Sequence, residues 1–246
     1  MYAVRPVTGS TRRLARRLAR LLVILCAVVA VLLAAGAVYV ATLPSAADAQ
    51  VRARRLMLSH HEQVRTLPTP SRLVAAVVSV EDEHFYDNVV VNVLTGAGRA
   101  ALATLHTSRD PGGSTIDQQL AKLLYGQGSG PFGTLREIGL GVKLALRWSK
   151  HQILAMYLNG AYYGQGFWGV SAASEGYFHT PPGRLDWAEA AMLAGLLQAP
   201  SAYDPVTHLA LARERQRHVL AQLVANGHLT AARARAVYRQ RLPLVR

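Results

Sequence analysis

Two stretches of this sequence hold residues whose types and spacing could do chemistry. In "VVSVEDEHFYD" (77–87) the acids Glu81, Asp82 and Glu83, with His84, follow directly on an apolar run that reads as buried helix. A carboxylate at the end of a buried helix loses solvation, which raises its pKa and prepares it to accept a proton near neutral pH. Asp82 beside it is a candidate to be fixed by hydrogen bonds, leaving Glu81 as the reactive group. A solvated helix cap is the plain alternative for this stretch taken alone. Further on, "GGSTIDQQLAK" (112–122) sets two glycines and two hydroxyls ahead of a helix bearing Gln118, Gln119 and Lys122. Loop amides, a helix N-terminus and a nearby cation suit an anion, and phosphate is the obvious class.

Such groups need rigid elements behind them, and the apolar spacing predicts helices. Ser71 is placed to N-cap a helix running through Phe85, while Ser149 with Gln152 and Asp186 with Glu189 have capping-box spacing ahead of apolar runs. Apolar residues recur at helical intervals over 135–148, 153–158, 187–197 and 209–224, and Gly227 is a good C-terminal stop. The one β-branched segment, "NVVVNV" (88–93), reads as a short strand or extended loop and cannot make a sheet by itself. A mainly α domain is therefore expected. "GQGSGPFG" (126–133) reads as a flexible loop of the kind that borders a substrate cleft. Trp148, Trp168 and Trp187 read as core or membrane-interface aromatics. His151, His179 and His208 read as surface residues without metal-site spacing.

Ahead of the domain, residues 21–43 contain no charged side chain, and about 35 Å of helix at that length covers a bilayer core. Arg5, Arg12, Arg13, Arg16, Arg17 and Arg20 precede the run, whereas Arg52, Arg54 and Arg55 on the far side are set against Asp48 and Glu62. That bias keeps the N-terminus cytoplasmic and sends the remainder outside, at the cytoplasmic (inner) membrane. "PSAADA" (44–49) resembles a signal-peptide cleavage site, but signal h-regions usually run about 7–15 residues and this one is longer, so an uncleaved anchor is expected. The lone Cys26 lies in the span, which leaves an ordinary core to hold the exported part together.

The 246 residues suffice for one substantial core behind the anchor. The expected order is a basic arm (1–20), an anchor (21–43), a juxtamembrane connector (44–69), the domain (70–228) and a basic helical tail (229–246). The net charge of +13 resides partly in the arm and partly in Arg213, Arg215, Arg217, Arg233, Arg235, Arg239, Arg241 and Arg246. Basic surface beside a membrane suits anionic lipid headgroups or pyrophosphates, a solvated arginine-rich face being the alternative, and nucleic acid is not an expected partner outside the cell.

Five blocks together resemble a known family: "EDEHFY" at Glu81, "GGSTIDQQLAK", Glu137 within "LREIGLGVKLALRWSKHQILAMYLN", "YYGQGFWGVSAASEGYF" from Tyr162, and "EAAMLAGLLQAPSAYDP" from Glu189. In type and order they are similar to the peptidoglycan glycosyltransferases, glycosyltransferase family 51, whose single-domain members are the monofunctional biosynthetic peptidoglycan transglycosylases. The resemblance runs from about Leu67 to Asn226. It implies a mainly α, lysozyme-like domain at the outer face of the cytoplasmic membrane that polymerises lipid II. The transfer is inverting and releases undecaprenyl pyrophosphate. By the same resemblance Glu81 matches the catalytic base, Glu137 a second essential glutamate that assists at the donor pyrophosphate, and Lys122 the family's cation. Asp82, Phe85, Ser114, Thr115, Gln118 and Gln119 match motif positions around the cleft, and Arg136 is a nearby cation for the substrate.

No cofactor is required by the sequence, with a divalent cation (Mg or Mn) at the donor pyrophosphate left open. Implied partners are lipid II, the growing lipid-linked strand, the membrane, and penicillin-binding transpeptidases or other cell-wall synthesis proteins. The transpeptidase domain of bifunctional relatives is expected to be absent.

The sequence also departs from the family pattern. Asn88 and Val90 stand where histidine and glycine are usual, Asp117 where threonine is, Gly133 and Thr134 where an Arg-Lys pair is, and Ala155 where glutamate is. Losing cations while gaining an acid is expected to weaken donor binding, each charge-assisted contact being worth about 1.5–3 kcal/mol, with Arg136 or Lys143 as compensating candidates. Two other readings stay open. One is a non-catalytic relative that binds lipid-linked glycan. The other is a lysozyme-like or lytic enzyme, which would share the fold and a glutamate but would not need the anion site at 112–122.

Overall fold

In the computed structural model, which describes residues 9–60, 71–87 and 114–244, the apolar run forms one uninterrupted helix, α1 (Gly9–Thr42). Its Arg16–Thr42 stretch of 27 residues is long and apolar enough to cross a membrane. Met1–Leu43 forms one unit and Pro44–Arg246 another.

The described residues of the second unit form helices α2 (Ala49–Ser59), α3 (Arg72–Glu81), α4 (Ile116–Tyr125), α5 (Gly130–Arg147) and α6 (Lys150–Gly160). Then come α7 (Gly169–Phe178), a 3-10 turn at Pro182–Arg184, α8 (Trp187–Leu196), α9 (Leu209–Ala225) and α10 (Ala231–Arg239). Among the described residues the β structure amounts to an isolated bridge between Tyr162 and Trp168, in keeping with the mainly α expectation. The "NVVVNV" segment lies outside the described residues.

The core is organised around α8. Every residue from Ala188 to Leu196 is buried, as an all-round apolar sequence requires of a helix in a soluble domain. Its alanines and Gly195 let α3 and α9 pack closely against it. Helix α3 starts where Ser71 accepts a hydrogen bond from Val74 N and buries Leu73, Val74, Ala76, Val77 and Val78. It ends at Glu81, earlier than the sequence suggests. Asp82 leaves helical geometry and its side chain accepts from Ile116 N at 3.1 Å, tying the end of α3 to the start of α4. Phe85 therefore lies beyond the helix, although it is fully buried.

The predicted capping boxes at Ser149/Gln152 and Asp186/Glu189 both form, and Gly227 takes φ +75° just after α9. The glycine-rich stretch 126–133 differs from its reading as a flexible loop, because α5 begins inside it at Gly130. The reason is close packing. A Cβ on Gly133 would lie 2.3 Å from the Gly128 carbonyl carbon, so these glycines permit one backbone segment to rest on another.

The segment read as a connector is also packed. Ala49, Ala53 and Met57 are buried, Trp148 Nε1 donates to Ala46 O at 2.8 Å, and His60 stacks on Trp168 with ring centroids 3.8 Å apart. The basic tail docks likewise: α10 buries Ala234 and Val237. Arg213 donates to the Tyr238 carbonyl and lies 4.3 Å from that ring's centroid. His151, His179 and His208 are exposed.

Candidate active site

Side chains from α3, α4, α6 and α9 converge on a cleft of about 750 Å³. Of the chemistry-bearing residues singled out in the two motifs, Glu81, Asp82, Glu83, Ser114, Gln119 and Lys122 line it. They form two clusters.

The first is centred on Glu81, the last residue of α3. Gln119 Nε2 donates to Glu81 Oε2 at 2.7 Å, and the Tyr157 hydroxyl donates to Gln119 Oε1, which fixes the amide's orientation. Burial pushes the Tyr157 hydroxyl well above its ordinary pKa, with the charge of Glu81 adding to the effect, so it stays protonated and keeps donating. On the other side Arg215 Nη2 stands 3.6 Å from Glu81 Oε1, the two side chains being only 10% and 9% exposed. Asp82 is 1% exposed and serves the start of α4, where an acid is favoured by the helix dipole.

The second cluster is centred on Glu137, 7% exposed on α5. Its Oε1 accepts from Gly128 N at 3.1 Å, and its Oε2 lies 3.4 Å from Lys122 Nζ. Lys122 Nζ also reaches Ser114 Oγ at 3.4 Å, and with a third of its side chain exposed it can meet an anion in the cleft. Glu137 itself does not line the cleft; it contacts Lys122, which does, and the Gly128 backbone.

The remaining matched residues support these clusters from behind. Thr115 and Gln118 form a capping box: Thr115 Oγ1 accepts from Gln118 N at 3.3 Å and Gln118 Oε1 from Thr115 N at 3.2 Å. Phe85 lies in the core with Lys150 Nζ 4.3 Å from its ring centroid. Arg136 does not line the cleft. Its guanidinium donates to Tyr125 O at 3.1 Å and Gly126 O at 3.3 Å, closing the C-terminus of α4. Lys143 reaches Pro44 O at 3.4 Å.

Asp117, the acid expected to disturb an anion site, is turned elsewhere. Two residues before Gln119 on a helix, it projects from a different face, and its carboxylate meets Lys150 Nζ at 3.1 Å. Burial raises its pKa, Lys150 opposes the rise, and the charge of Asp82 adds to it. Asn88 and Val90 lie outside the described residues.

Among the described residues no group of three His, Cys, Asp or Glu assembles, and both oxygens of Glu137 are already engaged by Gly128 and Lys122.

Sequence reasoning missed one wall entirely. Arg215, His218 and Gln222 line the cleft from α9, although the arginines of that stretch read as a basic surface. The signal was present: positions i, i+3 and i+7 share one helix face, while Val219, Leu220 and Leu223 are buried. Tyr157, Tyr162 and Gln198 also border the cleft.

Comparison with known proteins identifies the family. A family model described as transglycosylase matches residues 49–224. Penicillin-binding protein 2a of Streptococcus pneumoniae is 41% identical over 155 residues, covering 63% of this chain and 21% of that protein. Penicillin-binding protein 1A of Mycobacterium tuberculosis is 37% identical over 180 residues, covering 71% and 22%. A protein of Cupriavidus necator named as a transglycosylase is 36% identical over 162 residues, covering 65% of this chain and 70% of its own length. The chain therefore spans about a fifth of the length of the penicillin-binding proteins it matches.

Proposed function

The chain belongs to the transglycosylase family, glycosyltransferase family 51, and from that premise we propose that it is a membrane-anchored peptidoglycan glycosyltransferase polymerising lipid II. The observation that carries the reading is one cleft with two differently equipped ends. A nearly buried carboxylate, Glu81, is held there by side chains from two other helices, in a cleft that a reachable cation, Lys122, also lines.

In this reading Glu81 accepts the proton of the 4-hydroxyl on the acceptor's GlcNAc. The oxygen forms a bond to C1 of the donor's MurNAc as the bond from C1 to the pyrophosphate oxygen breaks, with inversion at C1. Undecaprenyl pyrophosphate leaves with the electron pair, and its charge is met by Lys122 beside Ser114. Glu137 holds Lys122 and the Gly128 amide in place for that event. Asp117, paired with Lys150, adds little net charge against the donor. The span Arg16–Thr42 anchors the chain, and the arginines before it favour a cytoplasmic N-terminus with the domain outside.

The test is incubation of the purified full chain with labelled lipid II and, separately, with finished peptidoglycan. Glycan strands from the first and no release of fragments from the second are expected. Degradation of the second without polymerisation of the first would make it a lytic enzyme. Binding of lipid II without product, where a standard polymerase succeeds, would make it a non-catalytic relative.

A further inference from the structure

We infer that Arg215 is the positioning residue for Glu81, holding one carboxylate oxygen from α9 while Gln119, fixed by Tyr157, holds the other. The inference rests on the proposed role of Glu81 as the base. Arg215 Nη2 stands 3.6 Å from Oε1 and Gln119 Nε2 2.7 Å from Oε2, so the carboxylate is gripped from two sides. The first distance is that of an ion pair and exceeds a hydrogen bond.

The site is built to hold that arginine. Its side chain is 10% exposed, its guanidinium carbon lies 6.0 Å from the Tyr203 ring centroid, and α8 passes it at Gly195. A Cβ there would lie 3.0 Å from Arg215 Cγ, so glycine leaves the stem its room. A carboxylate with 9% exposure favours its protonated, catalytically useless form unless a charge opposes that. Arginine does so at every relevant pH, because it does not deprotonate.

Other charged and titratable groups lie nearby. Asp82 and Glu83 share the Glu81 segment, with Asp82 bonded to the α4 start. Lys122 from α4 contacts Ser114 and Glu137. Tyr157 from α6, Tyr162 and, on α9, His218 also border the cleft. Among the described residues Arg215 is a cation in ion-pair contact with Glu81 itself.

The experiment is a pH–rate profile of lipid II polymerisation by the full chain in detergent, for wild type, Arg215→Lys and Arg215→Gln. In Arg215→Gln the acidic limb of kcat/KM should move up by about one pH unit or more, with activity recovering at higher pH. Arg215→Lys, a shorter point charge, should move the limb the same way by less, and it decides the matter if the glutamine variant does not fold. An equal fall at every pH, or a rise in KM alone, overturns the proposal, since Arg215 would then support the fold or bind substrate.

A second readout does not depend on glycan synthesis. In a thermal-unfolding cycle of Glu81→Gln, Arg215→Gln and the double variant, non-additivity at neutral pH that fades on acidification is expected, and additivity overturns the pairing. If wild type makes no glycan while the cycle couples, the proposed function fails and the pair stands.

Discussion

Glu81 and Glu137 are both nearly buried carboxylates, one lining the cleft and the other in contact with its Lys122, yet they are held by different means. Glu81 sits at the end of a core helix and is gripped by side chains from α4 and α9. Glu137 is held by a backbone amide in a glycine-rich turn and by a lysine that is itself a third exposed. In the proposed reaction the difference separates two jobs. A carboxylate fixed by side chains of the packed core can act directly on a reacting hydroxyl. One tied to a loop and a cation orders its surroundings. Substitutions at the first end should therefore reduce the chemical rate, and those at the second should weaken donor binding and local stability.

The largest expected effect is at the first end, where Glu81→Gln should lower glycan synthesis by about 10²–10⁴, the usual worth of a general base, measured as the initial rate with labelled lipid II. Next, Lys122→Gln should remove a charge-assisted contact worth about 1.5–3 kcal/mol, which is roughly 10- to 150-fold in affinity. That loss should appear mainly as a raised KM for donor. A pure rate effect at Lys122 would erase the contrast between the two ends.

Smaller effects sharpen it. Gly133→Ala forces a methyl against Gly128, 2.3 Å from its carbonyl carbon, and overpacking of this kind costs about 1–3 kcal/mol, readable in chemical denaturation. The amide of Gly128 that Glu137 accepts from should shift with it. Asp117 has a carboxyl raised above its ordinary 3.8 by burial, against the pull of Lys150. A raised acid supports folding fully below its unfolded value and loses that support as pH rises through its folded value. The stability of wild type relative to Asp117→Asn should therefore fall as pH rises from about 3.8, in thermal melts across a pH series. Arg136→Gln should do least. It loses hydrogen bonds at the α4 terminus worth about 0.5–1.5 kcal/mol each and leaves lipid II turnover unchanged.

Much of this was legible in the sequence, for identifiable reasons. Capping boxes at Ser149 and Asp186 are local in the chain, so spacing alone finds them. The apolar span needs only a count of residues. What escaped depends on which way a side chain points once helices meet. Arg215 was one arginine among eight in a basic stretch until α9 packed beside α3 and turned it inward. Arg136, next to Glu137 in sequence, turned toward the end of α4. Gly128 and Gly133 serve packing where composition suggested flexibility. Ala49, Ala53 and Met57, at helical spacing, carried a readable hint that the connector docks.

The central claim is that Glu81 supplies the base in a cleft that polymerises lipid II, and the most direct test measures two quantities on the same preparations. Lipid II affinity and the rate of strand formation would be determined side by side for wild type and Glu81→Gln. The account predicts closely similar affinities with a rate lower by about 10²–10⁴ in the variant. Equal rates in the two proteins, or a loss of affinity that accounts for the whole fall in rate, would contradict it.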